Sequence, residues 1–181
     1  MTATLWNIDL SHSAVHFTVR HLMVSKVRGA FTKWGGELAL DDSDITKSTV
    51  NVTIDATSIF TDEPKRDAHL RSADFFETEK FPQLTFKSTK VERDGDDLKV
   101  TGELTIRDVT KTVVLAVTDN GRVKDPWGGT RAGFSAHLAI SRKDYGLTWN
   151  ALLEAGGVTV SDKVEISLEI EAIAPAQAAV A

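Results

Sequence analysis

Among its 181 residues the chain has no cysteine, which excludes a disulfide framework, a thiolate metal site and a cysteine nucleophile. It also lacks an excess of positive charge. The formal net charge is -5 and the sequence pI is near 5.5, so a general affinity for nucleic acid or anionic membrane is not expected, because both need a basic footprint. These totals are compatible with a local basic patch. Long hydrophobic runs are missing too: the longest, such as Val113 to Val117, fall far short of the roughly 20 residues that a membrane helix requires. Membrane contact, if any, is therefore expected to be peripheral. The opening MTATLWNIDL has neither the positive n-region nor the apolar h-region of a secretory signal, and the expectation is a cytoplasmic protein. GxSxG, HExxH, GxGxxG and P-loop patterns are all absent, as are internal repeats and low-complexity segments.

What is present is the ordinary balance of a globular protein, 41% hydrophobic and 26% charged, in a chain about one domain long. Residues 1–174 are expected to form a single domain, with 175–181 as a frayed tail because APAQAAVA lacks periodicity. The dominant signal is alternation with period two, which marks strands buried on one face. Val15, Phe17 and Val19 face one way, and Ala14, His16, Thr18 and Arg20 the other. Further strands are predicted around Phe31 to Leu40, Thr49 to Asp55, Gln83 to Glu92, Leu98 to Ile106, Lys111 to Thr118 and Arg131 to Ser141. The last strand, where Val164, Ile166, Leu168 and Ile170 alternate with Glu165, Ser167, Glu169 and Glu171, has one dry face and one acidic, solvated face. Turn residues at Asp41 with Asp42, Asp94 with Gly95, Asn120 with Gly121 and Gly128 with Gly129 separate the strands as in an antiparallel meander. About eight strands with little helix to cover them must stack as a sandwich or close as a barrel, and composition does not choose between the two.

One stretch breaks the pattern. Thr61 to Phe76 predicts a short helix capped by Thr61 or Asp62, with Pro64 in its first turn and Asp67 paired to Arg71. Lys65, Arg66, His69 and Arg71 crowd this segment beside Phe60, Phe75 and Phe76. They are either a solvated helix face or an anion-binding lid over an apolar opening. Three histidines, His12, His16 and His21, lie in one short stretch. His16 and His21 fall on opposite strand faces, so no metal site is expected there.

Several stretches, taken together and in order, resemble the YceI-like family of polyisoprenoid-binding proteins over about Leu5 to Ala174. They are WNIDLSHSAVHFTVRHLMVSKVRGAF, TSIFTDEPKRDAHLRSADFF, KFPQLTFKS, GELTIRDVTKTVVL, GFSAHLAISRKDYGL and VSDKVEISLEIEA. The resemblance implies an all-β fold, an eight-stranded antiparallel β-barrel of lipocalin-like architecture with one short helical insertion. In its lumen it implies a bound isoprenoid lipid, a quinone or polyprenyl phosphate, as ligand rather than catalytic cofactor. Val15, Phe17, Val19 and His21 are similar to the family's lumen-facing strand. Phe31, Phe75, Phe76, Phe81, Phe86, Leu104, Ile106, Phe134, Leu138 and Ile140 are candidate lining or core residues. Arg66, His69 and Arg71 are similar to the polar segment near the mouth and are the candidate head-group residues. Asp108 stands where the family usually has glycine, and Asp accepts positive φ better than most residues. The expected function is storage or transport of the lipid without covalent chemistry, in a monomer or a homodimer. The alternative is an enzyme acting on an apolar small molecule, with His21 or His69 as acid or base.

Overall fold

The period-two segments are strands in the computed structural model, which describes residues 3–154 and 156–175. Strands β1 (Thr4–Ile8), β2 (Ala14–His21), β3 (Ser25–Phe31), β4 (Trp34–Leu40), β5 (Thr49–Asp55) and β6 (Ile59–Phe60) precede the helix α1 (Pro64–Arg71). Strands β7 (Gln83–Asp94), β8 (Asp97–Ile106), β9 (Val109–Lys124), β10 (Thr130–Ser141) and β11 (Lys163–Ile173) follow it. All pairings are antiparallel in the order β1-β4-β5-β7-β8-β9-β10-β11, and β11 returns to β1 through Asn7↔Ile173 and Ile8↔Ala172. The sheet is thus a closed barrel, the arrangement that removes exposed strand edges.

Three staves of the barrel are broken. β2 continues β1 along β11, pairing Ala14 with Glu169 and Thr18 with Glu165. β3 continues β4, and β6 continues β5, because β3 pairs with β2 and β6 while β4 pairs with β1 and β5. Counted this way the barrel has eight staves. The breaks are made by short polar side chains that capture nearby backbone N–H groups, the local alternative to a ladder. Asp9 accepts from Ser11 N at 3.0 Å, and Asp55 from Thr57 N at 2.9 Å. Two breaks are stitched together by Thr32 N donating to Ser58 O at 3.1 Å and Lys33 N to Ser58 Oγ at 3.0 Å. Above this crease β6 pairs only with β3, and Thr61 to Pro82, with α1 packed on β6, fills the space before β7.

The interior has two parts. At the end carrying the β4–β5, β7–β8 and β9–β10 connections, buried Trp6, Leu38, Leu40, Ile45, Val100, Leu115 and Phe134 fill most of the lumen. Each such side chain contributes about 1.5–3 kcal/mol on burial. At the other end Val15, Phe31, Ile59, Phe75, Leu104, Ile106 and Tyr145 are buried around a hollow. At two wall positions an aromatic ring lies over a glycine. A Cβ on Gly29 would lie 2.2 Å from Phe17 Cζ, and one on Gly102 would lie 2.4 Å from Phe86 Cζ. Near the filled end Arg131 clasps three elements: its Nη1 donates to Asp9 Oδ2 at 2.8 Å and to Glu171, and its Nε to Asp125 Oδ2 at 3.0 Å. Hydrogen bonds from the Ser11 hydroxyl, then Arg131, then His12 hold the Asp9 carboxyl well below the usual carboxylate range.

Five local expectations are corrected. The stretch expected as one strand from Phe31 to Leu40 is divided at Thr32 and Lys33. Asn120 and Gly121 form no turn but an irregularity inside β9, where the register shifts opposite Gly133 and Gly121 takes φ of 91°. The cap of α1 is Glu63, whose carboxylate accepts from Lys65 N at 3.3 Å and Arg66 N at 2.6 Å. Asp67 does not pair with Arg71, because it is turned inward and accepts from Thr61 N at 2.9 Å. At the β8–β9 turn the positive φ falls on Arg107, at 57°, and not on Asp108. The expected tail lies outside the described residues except for Pro175.

Candidate binding cavity

Alternation places one side chain in two from each stave in the lumen, so a hydrophobic alternating set becomes a hydrocarbon wall. β2 supplies Val15, Phe17, Val19 and His21; β3 supplies Val27 and Phe31; β11 supplies Val164, Ile166, Leu168 and Ile170. Trp34, Val52, Ile54, Leu84, Phe86, Leu104, Ile106, Leu115, Leu138 and Ile140 complete the ring, and Leu70, Phe75, Phe76, Leu147 and Trp149 cover it. The cavity has a volume of about 490 Å³, and its wall is almost wholly apolar. A smaller cavity of about 120 Å³ lies toward the filled end and shares Val52, Phe86, Leu115, Leu168 and Ile170 with the larger one. The two are adjoining chambers of one lumen.

Aromatic rings brace the wall. Phe17 and Phe31 are 5.8 Å apart between centroids, Phe31 and Phe76 meet edge to face at 5.8 Å, and Phe75 lies 5.4 Å from Trp149. Polar groups gather at the end where α1 sits. The wall there reaches the exposed Lys65 and Arg66, which marks the mouth. His69 stands edge-on to Phe75 and Trp149, at 5.1 and 4.7 Å, and its Nε2 is 2.8 Å from Asp74 Oδ2. Tyr145 is 2% exposed, and its hydroxyl has no hydrogen-bond partner. Burial raises its pKa, so it is held as a neutral phenol. Arg142, 4% exposed, donates from Nη1 to Leu147 O at 2.7 Å and Trp149 O at 2.8 Å, and from Nε to Ser161 O at 2.9 Å. Its guanidinium thereby gathers the long β10–β11 connection into a roof, and burial lowers its pKa from the usual arginine value.

The structure brings most of the expected residues together. Val15, Phe17, Val19, His21, Phe31, Phe75, Phe76, Phe86, Leu104, Ile106, Leu138 and Ile140 all line the larger cavity. Phe134 lines the smaller one. Phe81 lies outside both, with Lys80 and Arg107 over its ring. Of the head-group set, Arg66 and His69 reach the wall and Arg71 does not. Arg71 donates instead to Thr57 O at 2.9 Å and Ile59 O at 3.2 Å, carbonyls of the short broken stave. Arg66 is committed in part to Thr61, with Nε 2.7 Å from its Oγ1 and Nη2 2.7 Å from its carbonyl oxygen. Sequence reasoning missed Tyr145, Arg142, Trp34 and Trp149. Three of these lie in or near a connection with no periodicity, where the only signal was the quoted SRKDYGL stretch. Elsewhere, ligand atoms of Asp9, His12 and Glu171 fall within 4.8 Å of one another, but the Arg131 guanidinium already lies against both carboxylates.

Comparison with known proteins fits this architecture. The family model described as "YceI-like domain" matches residues 6–172. A "Protein YceI" of Escherichia coli is 43% identical over 162 residues, covering 90% of this chain and 82% of that protein; one of Salmonella newport is 41% identical with the same coverage. The crystal structure of a Campylobacter jejuni YCEI protein superposes with a TM-score of 0.75 at 32% identity, covering 86% of this chain and 90% of that one. Burkholderia cenocepacia BcnA has the same fold, with a TM-score of 0.80 at 23% identity over 91% of this chain and 99% of that one. So does a polyisoprenoid binding domain from Saccharophagus degradans, at 0.66 and 18% over 96% and 99%. With the match running from the first strand to the last, the chain belongs to the YceI-like family.

Proposed function

We propose that this protein is a non-enzymatic carrier or reservoir of an isoprenoid lipid, whose tail occupies the hollow half of the barrel. The observation that carries the reading is the apolar cavity of about 490 Å³, inside a barrel whose other half holds a chamber of only about 120 Å³. Ligand sites of this kind are concave, mostly apolar and largely preformed. An aliphatic tail gains about 0.8 kcal/mol per CH₂ removed from water, so a few isoprene units outweigh the ordering costs of association. The polyisoprenoid binding domain from Saccharophagus degradans, which has the same fold, and the lipid-binding resemblance of the family support this class of ligand.

The polar groups argue for a head that carries oxygen. Tyr145 lines the cavity and its buried hydroxyl has no partner, so a small shift of the wall would let it donate to a quinone carbonyl or a phosphate oxygen. Lys65 and Arg66 bring two positive charges against the one negative charge of Glu63 to the mouth, where a phosphate head would sit. A second reading, catalysis with His69 as acid or base, draws on the His69–Asp74 pair. Both side chains are well exposed, at 39% and 51%, and water reaches them as easily as a ligand does. That favours a carrier. Organic extraction of the purified protein followed by mass spectrometry, and native mass spectrometry after incubation with isoprenoid quinones and polyprenyl phosphates, tests both readings. A carrier yields one chemically unchanged isoprenoid per chain. A chain that stays empty with both ligand classes refutes the carrier reading, and a modified ligand refutes the non-enzymatic one.

A further inference from the structure

The connection between β2 and β3 is the three residues Leu22 to Val24, which open with a tight turn in which Val24 N donates to His21 O at 3.2 Å. Its central residues, Leu22 and Met23, both take positive φ, 50° and 61°. Such a turn favours Asn and Gly, because a bulky side chain crowds the backbone in the left-handed region. Here two large apolar residues occupy it, and they are not buried in return. Met23 is 63% exposed and Val24 is 82% exposed. Leu152, 86% exposed, stands on the adjoining loop, which is tied to the tip by Leu22 N donating to Thr159 O at 2.9 Å. Strain and exposure both oppose folding, and their coincidence at one tip marks a surface used for something else.

The position of the tip narrows what that is. His21 and Val27, one step back along the same hairpin, line the large cavity, as do Thr159 and Val160 below the adjoining loop. The tip therefore stands on the cavity rim. On the hairpin's outer face Arg20 lies opposite Lys26, and Arg28 opposite Thr18. All three cations are exposed, and among the described residues none makes an ion pair. Glu165 shares that face but is bonded to Lys163 Nζ at 3.0 Å. The opposite end of the barrel carries Asp41, Asp42 and Asp44 in one connection and Asp94, Asp96 and Asp97 around another. Near the tip the acids are Glu154 on the adjoining loop and Glu165, whose carboxyl feels Lys26 and Arg20, against the three cations of a basic collar around a small apolar point.

We propose that the Leu22–Val24 tip is a docking finger that inserts into the surface of an anionic lipid bilayer and sets the cavity mouth against it. Its use in loading rests on the carrier reading above, but the docking does not. A few exposed side chains flanked by cations match interfacial insertion, where apolar burial and attraction to anionic lipid act together. They are too few for a stable dimer face, which buries about 1,200 Å² or more.

The test uses the full chain and a double variant, Leu22→Asn with Met23→Gly, which installs the residues this turn favours. It should fold at least as stably as the parent in urea titration, so lost binding cannot be blamed on lost structure. Flotation with vesicles of mixed phosphatidylcholine and phosphatidylglycerol should recover the parent. The double variant should partition about tenfold less or weaker still, since two apolar side chains no longer insert. Arg20→Gln and Lys26→Gln should each lower partition into the mixed vesicles by about fivefold and leave that into pure phosphatidylcholine unchanged. Absence of parent binding to the mixed vesicles, or equal binding by parent and double variant, overturns the proposal. So does sedimentation showing a dimer that the double variant abolishes. Uptake of a short-chain isoprenoid quinone in vesicle-free solution separates the two ideas. A chain that loads but does not float keeps the carrier reading and loses the finger, and a chain that floats but does not load does the reverse.

Discussion

The two ends of the barrel share the same staves and the same alternation, yet one is packed down to a chamber of about 120 Å³ and the other is hollow over about 490 Å³. Residue size does not explain it, since Phe17, Phe31, Phe76 and Phe86 at the hollow end are as bulky as Phe134 at the packed one. The difference lies in where the rings go. At the packed end Trp6 and Phe134 join Leu38, Leu115 and Ile45 in the lumen, with Arg122 above both rings at 5.7 and 5.1 Å. At the hollow end the Phe17 and Phe86 rings lie over Gly29 and Gly102, in space that a Cβ would claim. Glycine lets the aromatics fold back onto the wall, so the lumen stays open. The packed end holds the fold, and the hollow end gives up packing energy to keep room.

The sharpest way to break this contrast is to truncate one side chain at each end. Trp6→Ala should cost about 3–5 kcal/mol of unfolding free energy. Leu138→Ala, in a wall that already faces empty space, should cost about 2 kcal/mol, the low end for such truncations. Urea titration measures both, and equal losses would abolish the distinction. A smaller effect is expected from Gly29→Ala. The new methyl meets Phe17 at 2.2 Å, the ring must swing into the lumen, and overpacking should cost about 1–3 kcal/mol. Isoprenoid binding should weaken more than the fold does. An unchanged affinity, followed by titration, would mean that the ring's position does not hold the cavity open. The smallest change sharpens the polar side of the contrast. Tyr145→Phe removes an unpaired hydroxyl, so stability should stay the same or rise by about 1 kcal/mol. A quinone-headed ligand should bind about fivefold more weakly, as expected for one lost hydrogen bond, while a hydrocarbon of matched length is unaffected.

Much of this was legible in the sequence because alternation reports burial directly. The dry sets of β2, β8, β10 and β11 reappear as lining, and the basic, aromatic segment from Thr61 to Phe76 sits at the mouth. The illegible features depend on partners distant in sequence. The staves break where Asp9 and Asp55 capture local N–H groups, which reads like any other polar turn. Asn120 with Gly121 is a strong turn signal, but the β9–β10 ladder continues past it with a register shift. Arg71 looks free on the helix, yet the carbonyls of Thr57 and Ile59 take its donors once α1 packs on β6. Arg142 and Tyr145 follow β10 in a stretch without period, and only the closure of the long connection shows that both are buried.

The arrangement of the four tryptophans has an optical consequence. Trp34 and Trp149 line the large cavity, Trp6 is sealed in the packed end, and Trp127 is 83% exposed. A quinone bound as proposed would lie beside the first two indoles and accept their excitation, while aqueous iodide reaches Trp127 and not Trp6. Emission from one unlabelled chain therefore separates into a cavity signal, a solvent signal and an internal reference. Filling and emptying of the barrel can be timed by fluorescence alone.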